Sequence, residues 1–247
     1  PEAKLEARAA AVAAVRAGGF GHREVVVRVN ALATPWGEGD LAEVAAAGPD
    51  AILVPKIASA GELLSYEAAI ACAPARTRLW VMVETCAAIL SLADIGQAAS
   101  TTRLAAFVMG INDLAKEMGA RMTPERTPFH TALTMAVAAA RANGLAVLDG
   151  VHNEIDDLAA LERACVQGVE FGFDGKSLIH PSHLDICNRL FSPDPAEVAW
   201  GRAVIAAFAA PENAGKGALR VDGRLAERLH RDQALKLVAI AEAIAAK

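Results

Sequence analysis

Short apolar runs rich in β-branched residues recur along this chain, and the stretches between them carry helical patterns. The runs occupy residues 25–30 (VVVRVN), 51–56 (AILVPK), 79–85 (LWVMVET), 104–110 (LAAFVMG), 146–151 (AVLDGV) and 170–174 (EFGFD). Successive starts lie 24 to 28 residues apart, with one interval of 42, close to the roughly 30 residues that a strand and its returning helix consume. Segments such as 61–72 and 156–168 place apolar residues at i, i+3 and i+4, the stripe of a helix covering a sheet. Alternation of this kind predicts an α/β protein with a parallel sheet. The long interval holds an extra excursion over residues 118–129, punctuated by Thr123-Pro124 and Thr127-Pro128.

Six strands fit either an open doubly wound sheet or three-quarters of an eight-stranded barrel. The polar residues favour the barrel. Nearly every run ends in a side chain that is costly to bury alone: Arg28 and Asn30, Lys56, Glu84, Asn112 and Asp113, Asp149, and Asp174 with Lys176. Charges converging from successive strands onto one rim are what a barrel active site requires, whereas an open sheet gathers them at its switch point. No GxGxxG or Walker-type loop follows any strand. The expected fold is therefore a TIM-type (β/α)8 barrel that lacks its first two βα units in this chain. The barrel is expected over residues 1–191. Residues 192–247 form a C-terminal helical extension, with helices at 195–209 and 224–246 flanking a Gly-rich loop at 213–223 and available to pack on a neighbouring subunit.

A formal charge of -5 argues against a nucleic-acid binder, because a phosphate backbone selects basic stripes. Cys72, Cys86, Cys165 and Cys187 form no CxxC pair, so neither a zinc knuckle nor a dithiol redox site is encoded. With no signal peptide and no apolar run long enough to span a bilayer, the sequence reads as a cytoplasmic protein without a membrane partner.

At the rim, Glu84 and Asp113 close consecutive strands, and adjacent strands lie about 4.8 Å apart. Two carboxylates so placed suit Mg²⁺, which takes hard oxygens, keeps waters and uses one or two protein carboxylates. The competing structural reading pairs Glu84 with Lys56. Arg28 can grip a carboxylate with two parallel hydrogen bonds, or form a structural ion pair. Lys56 reads as a charged structural lysine or an amine nucleophile. His180 reads as a backbone cap or a ligand contact, with His152 and His183 weaker candidates. No nucleophile elbow is present.

Taken together these segments resemble the HpcH/HpaI aldolase and citrate lyase beta-subunit family. The resemblance rests on Lys4 through Ala7-Arg8, Arg28-Val29-Asn30, Val54-Pro55-Lys56, Val83-Glu84-Thr85, Gly110-Ile111-Asn112-Asp113-Leu114, and Phe173-Asp174-Gly175-Lys176 through Ile179-His180-Pro181. It implies Mg²⁺ as cofactor, bound by Glu84 and Asp113, with Arg28 holding the acyl or oxo-acid portion of the substrate. Arg28, Lys56 and Asn112 are the candidate substrate-binding residues. The implied reaction is carbon–carbon cleavage of a 3-hydroxyacyl thioester such as malyl-, methylmalyl- or citryl-CoA. In relatives an Asp from the neighbouring subunit's C-terminal segment handles a proton. Glu227 occupies that place here, one methylene longer, and is the second catalytic candidate beside Arg28.

Three functions follow as expectations: an acyl-CoA lyase, an aldolase on free hydroxy-oxo acids, and a non-catalytic binding or assembly subunit. Affinity for CoA separates the first two, with Lys176, Lys216 and Arg220 as candidate phosphate contacts. The resemblance further implies a homotrimer or hexamer, and an acyl carrier protein as an alternative partner.

Overall fold

The computed structural model describes residues 3–246. Pro1 and Glu2, which precede the Lys4–Arg8 segment of the resemblance, lie outside the described residues. The chain divides into two compact units between Cys187 and Asn188.

The first unit is a parallel sheet with its helices. Its strands are β1 (Val26–Arg28), β2 (Ala51–Val54), β3 (Arg78–Val83), β4 (Leu104–Met109), β5 (Ala146–Asp149) and β6 (Gly175–Lys176). The helices are α1 (Lys4–Ala17), α2 (Gly37–Ala47), α3 (Ala60–Ala69), α4 (Cys86–Leu90), α5 (Leu92–Gln97), α6 (Ile111–Met118), α7 (His130–Ala142), α8 (Leu158–Phe171) and α9 (Leu184–Phe191), the last crossing the boundary. The strands pair in sequential order, β1-β2-β3-β4-β5-β6, and every pair is parallel. A doubly wound sheet must reverse its order at a switch point. None occurs among these strands, so the architecture is a parallel half-barrel. One face of the sheet is fully buried, as in Ile52, Val54, Leu79, Val81, Val83, Phe107 and Val147. Burial is nearly continuous in β2 and β4, as in strands covered on both faces, while the alternate residues of β3 and β5 are only partly buried. Leu63, Ile95, Leu114, Leu133 and Leu161 supply the buried stripes of the covering helices.

The last strand differs from expectation. Residues 170–174 read as a strand, but α8 continues through Phe171 and ends at Gly172, whose φ of 90° is left-handed. Glycine reaches that conformation without a Cβ penalty, which stops the helix there and delays the strand to Gly175. Asp174 therefore stands before β6, beside the start of β5. It accepts the Val147 N–H at 2.8 Å and two Arg141 nitrogens at 2.9 and 2.7 Å. Asp174 is a structural brace and not a rim residue.

The second unit contains α10 (Pro195–Ala209), β7 (Ala218–Val221), β8 (Arg224–Glu227) and α11 (Arg228–Ala245). Asp194 caps α10 by accepting the N–H groups of Ala196 and Glu197. The expected helix over 224–246 begins only at Arg228. Residues 218–227 form an antiparallel hairpin instead. Its two turn residues, Asp222 and Gly223, have φ of 47° and 81°, and two successive positive φ values suit the right-handed twist of a hairpin. Among the described residues no helix is long and apolar enough to cross a membrane.

Candidate functional site

β3 carries Leu79, Val81 and Val83 on its buried face and delivers the chain to Glu84. Thr85 immediately begins α4, its hydroxyl accepting the Ala88 N–H at 3.0 Å. Glu84 is thus held between a strand end and a helix cap, and it is only 3% exposed. Its Oε1 accepts the backbone N–H of Lys56 at 2.9 Å. Lys56 adopts φ 53°, a left-handed conformation that costs a non-glycine residue about 1 kcal/mol or more.

Gly110, at the end of β4, makes room for Glu84. A Cβ on Gly110 would lie 2.4 Å from the Glu84 Cβ and 2.7 Å from its Oε2. The Gly110 N–H donates to Val83 O at 2.9 Å, and α6 starts directly after it. Asp113 is the third residue of α6, where the helix dipole favours a carboxylate. It is half exposed, and Lys56 Nζ lies 3.5 Å from its Oδ1. Lys56 therefore meets Glu84 through its backbone and Asp113 through its ammonium. The anticipated Lys56–Glu84 side-chain bridge is not the arrangement found.

Burial pushes the Glu84 carboxyl above the ordinary carboxylate range. The Lys56 N–H opposes this, the Asp113 charge adds to it, and the Lys56 and Arg28 charges offset it in part. Two carboxylates thus face one region, and among the described residues no side-chain cation pairs with Glu84. Arg28, exposed at the end of β1, has its Nη1 4.0 Å from Met82 Sδ. Among the described residues no carboxylate pairs with Arg28, so the structural ion-pair reading is not met.

The remaining candidates separate. The Asn112 and Asn153 amides donate to each other at 2.8 and 2.9 Å, tying the start of α6 to the loop after β5. Asn30 is a structural node: its Oδ1 accepts Lys4 Nζ at 2.7 Å, its Nδ2 donates to Asp40 Oδ2, and Asp40 also takes Arg8 Nε at 2.7 Å. Lys176 is buried against Asp149 at 2.8 Å, which removes it as a phosphate contact. Lys216 Nζ bonds Asn213 Oδ1 at 2.8 Å, while Arg220 is exposed on β7. His180 caps a short turn, its Nδ1 meeting Ser182 Oγ at 2.7 Å and accepting the Ser182 N–H at 3.2 Å. His183 is buried with Nε2 3.0 Å from Ile155 O, and burial lowers the His152 pKa. Glu227 lies in the second unit as the N-cap residue of α11, where its N–H donates to His230 Nδ1 at 2.9 Å.

Sequence reasoning missed Gly110 as a determinant of the site. The signal was present in the Gly-x-x-Asp spacing, but its neighbour Glu84 lies 26 residues away. Among the described residues no group of three or more His, Cys, Asp or Glu is disposed to hold a metal. A pair of hard carboxylates fits a cation that completes its shell with water and substrate, and it does not fit a zinc site.

Residues 1–181 match the model of the HpcH/HpaI aldolase/citrate lyase family. A (3S)-malyl-CoA thioesterase of Cereibacter sphaeroides is 44% identical over 243 residues, covering 98% of this chain and 83% of the relative. An L-malyl-CoA/beta-methylmalyl-CoA lyase of the same organism is 31% identical, covering all of this chain and 85% of the relative. The solved structure of protein CitE from Mycobacterium tuberculosis, in complex with magnesium, acetoacetate and coenzyme A, is 25% identical. It superposes with a TM-score of 0.70, covering 88% of this chain and 78% of that one.

Proposed function

The chain belongs to the HpcH/HpaI aldolase/citrate lyase family, and on that premise we propose that it acts, with Mg²⁺, on a 3-hydroxyacyl-CoA thioester such as (3S)-malyl-CoA. The observation that carries this reading is the nearness of buried Glu84 to Asp113 and to an Arg28 that has no carboxylate partner among the described residues. Similarity to the CitE structure, which contains magnesium and coenzyme A, supports the same choice of cofactor and carrier.

Glu84 and Asp113 would hold the ion. When bound, Mg²⁺ supplies positive charge for an oxygen that becomes anionic as the substrate reacts. Gly110 and the Lys56 N–H hold Glu84 in position for this role. Arg28 grips the substrate carboxylate through two hydrogen bonds, a geometry that its planar fork supports. Lys56 neutralises Asp113 in the absence of the ion and binds substrate oxygen when the ion replaces it. Asn112, locked to Asn153, presents its remaining hydrogen-bonding capacity beside Asp113.

The first reading of the bond broken is hydrolysis of the thioester, giving malate and free CoA from malyl-CoA and water. The 44% identity to a malyl-CoA thioesterase across nearly the whole chain favours it. The second is carbon–carbon cleavage, giving glyoxylate and acetyl-CoA, favoured by the 31% identity to a malyl-CoA lyase. In that reaction Glu227 serves as the acid that protonates the thioester enolate, contributed by a neighbouring copy. Exposed Leu229, Leu235, Ile240 and Ile244 on α11 support such packing of the C-terminal extension.

Incubating the purified protein with (3S)-malyl-CoA and Mg²⁺, and assaying free thiol and glyoxylate in parallel, distinguishes the two. Thiol without glyoxylate establishes hydrolysis, and glyoxylate without thiol establishes cleavage. Either activity should vanish on metal chelation and in Glu84→Gln. Full activity in Glu84→Gln, or neither product from malyl-, methylmalyl- or citryl-CoA, would sink the proposal.

A further inference from the structure

At the carboxyl ends of β5 and β6, two buried cations share one buried carboxylate. Asp149 is 0% exposed and Arg126 6%, while the Lys176 side chain is 1% exposed. Arg126 Nη1 reaches both Asp149 oxygens at 2.6 and 2.8 Å, and Lys176 Nζ reaches Oδ2 at 2.8 Å. Asp149 Oδ1 takes the Gly150 N–H as well, at 2.8 Å. The carboxylate is therefore saturated, and the buried group retains one uncompensated positive charge. A buried charge without a partner is strongly disfavoured.

Arg126 shows where the missing partner belongs. Its Nε donates to Gln167 Oε1 at 2.6 Å, but among the described residues its buried Nη2 has no hydrogen-bond partner. The buried Nε2 of His152 is likewise without one, the Glu154 carboxylate standing off at 3.7 Å. Arg126, His152 and Lys176 all line one cavity of about 360 Å³. Arg126 also holds φ at 53°, a left-handed strain that persists only where the surroundings impose it. The other charged groups on the wall do not supply the absent anion. Asp157 caps α8 by accepting the Ala160 N–H at 2.9 Å, the Glu154 side chain is 69% exposed, and Arg163 adds a further positive charge.

We infer that this cavity is a binding site for a small organic carboxylate, gripped by Arg126 Nη2 and His152 Nε2 and balancing the excess charge of the Arg126–Asp149–Lys176 group. Val151, Ala160, Ala164 and Pro124 provide apolar wall for a short carbon body, which is why a carboxylic acid is preferred to a bare inorganic oxyanion. The site is built from neither Glu84 nor Asp113, so it is independent of the Mg²⁺ reading.

The test is calorimetric titration of the full chain with pyruvate, acetate and inorganic phosphate, in chloride buffer stripped of metal over a chelating resin. Pyruvate should bind wild type and Glu84→Gln alike. It should bind at least tenfold more weakly to Arg126→Lys, which keeps a cation beside Asp149 but loses the second nitrogen. Ala164→Leu, which fills the cavity and leaves every ion pair intact, should weaken it as much and decides the matter if Arg126→Lys does not fold. Absence of pyruvate and acetate binding up to about 10 mM, tighter binding of phosphate than of either acid, undiminished binding to Ala164→Leu, or loss of binding in Glu84→Gln would each overturn the inference. Turnover of malyl-CoA is read separately and is not decided by these titrations.

Discussion

Gly110→Ala is the sharpest perturbation of the site, because the added methyl meets Glu84 hardest, with the flexible end of Met82 next at 3.3 Å. The new Cβ would lie 2.4 Å from the Glu84 Cβ, whereas ordinary contacts begin near 3.4 Å, so about 1 Å of separation must be recovered. The backbone at Gly110 has φ -109°, which alanine adopts without strain, so the collision is the whole effect. Moving the Glu84 carboxylate by about 1 Å stretches its 2.9 Å bond from the Lys56 N–H beyond hydrogen-bonding range. Loss of a hydrogen bond to a charged group costs about 1.5–3 kcal/mol, and overpacking a tight interior costs about 1–3 kcal/mol. Since the methyl relieves one cost by incurring the other, a net loss of about 3 kcal/mol is expected. At about 2–4 °C per kcal/mol for a chain of this size, Tm should fall by about 6–12 °C. Mg²⁺ affinity, measured by calorimetry, should fall at least tenfold in the same variant. Gly61→Ala is the control: its Cβ would approach nothing closer than Ser59 Oγ at 3.8 Å, and alanine in that helix should stabilise by about 0.5–1 kcal/mol. A Gly110→Ala protein with unchanged Tm and unchanged Mg²⁺ affinity would refute the claim that Gly110 positions Glu84.

Removing Asp149 should be far costlier than removing one of its cations. Asp149→Ala strands Arg126 and Lys176 and should lose about 3–5 kcal/mol in urea unfolding, while Lys176→Met leaves a one-to-one pair and loses markedly less. Equal losses would contradict the charge count. Asp40→Asn should cost about 2–3 kcal/mol at neutral pH by weakening the Arg8 and Asn30 contacts. Burial alone would raise the Asp40 pKa, but the hydrogen bonds from Asn30 and Arg8 bring it below its ordinary value of 3.8. Its contribution is therefore complete above that value and disappears as pH falls through the depressed one. The gap in stability between wild type and Asp40→Asn should close in acid, and a gap that widens there would reverse the sign. In the second unit, Gly223→Ala forces a Cβ onto φ 81° and should destabilise the hairpin by about 1 kcal/mol, whereas Gly217→Ala, with open space around it, should not.

The alternation of strand and helix was legible in the residues because periodicity is local. Apolar runs of β-branched residues bury well as strands of a covered parallel sheet; β1, β2, β4 and β5 fall within the expected runs, and β3 begins one residue before its run, at Arg78. The nearness of Glu84 and Asp113 to one rim was legible for the same reason, since Glu84 follows directly on β3 and Asp113 stands in the first turn of the helix after β4. The failures were local too. The glycine at 172 ends a helix where a strand was read, and the Asp222-Gly223 dipeptide turns a hairpin whose first strand falls in the expected Gly-rich loop and whose second takes the first four residues of the expected helix.

What only the tertiary structure decided is which partner each polar group takes. Asn30 and Lys176 have the residue types of ligand contacts, yet Asp40 and Asp149 claim them. Lys56 sends its backbone to Glu84 and its ammonium to Asp113. Arg126, read as part of a connecting excursion, proves to be a buried cation with an unsatisfied nitrogen. A propensity belongs to a residue and its neighbours in sequence. A hydrogen bond or an ion pair is a competition among groups brought within 3 Å by the fold, and its energy depends on how much water that fold has removed.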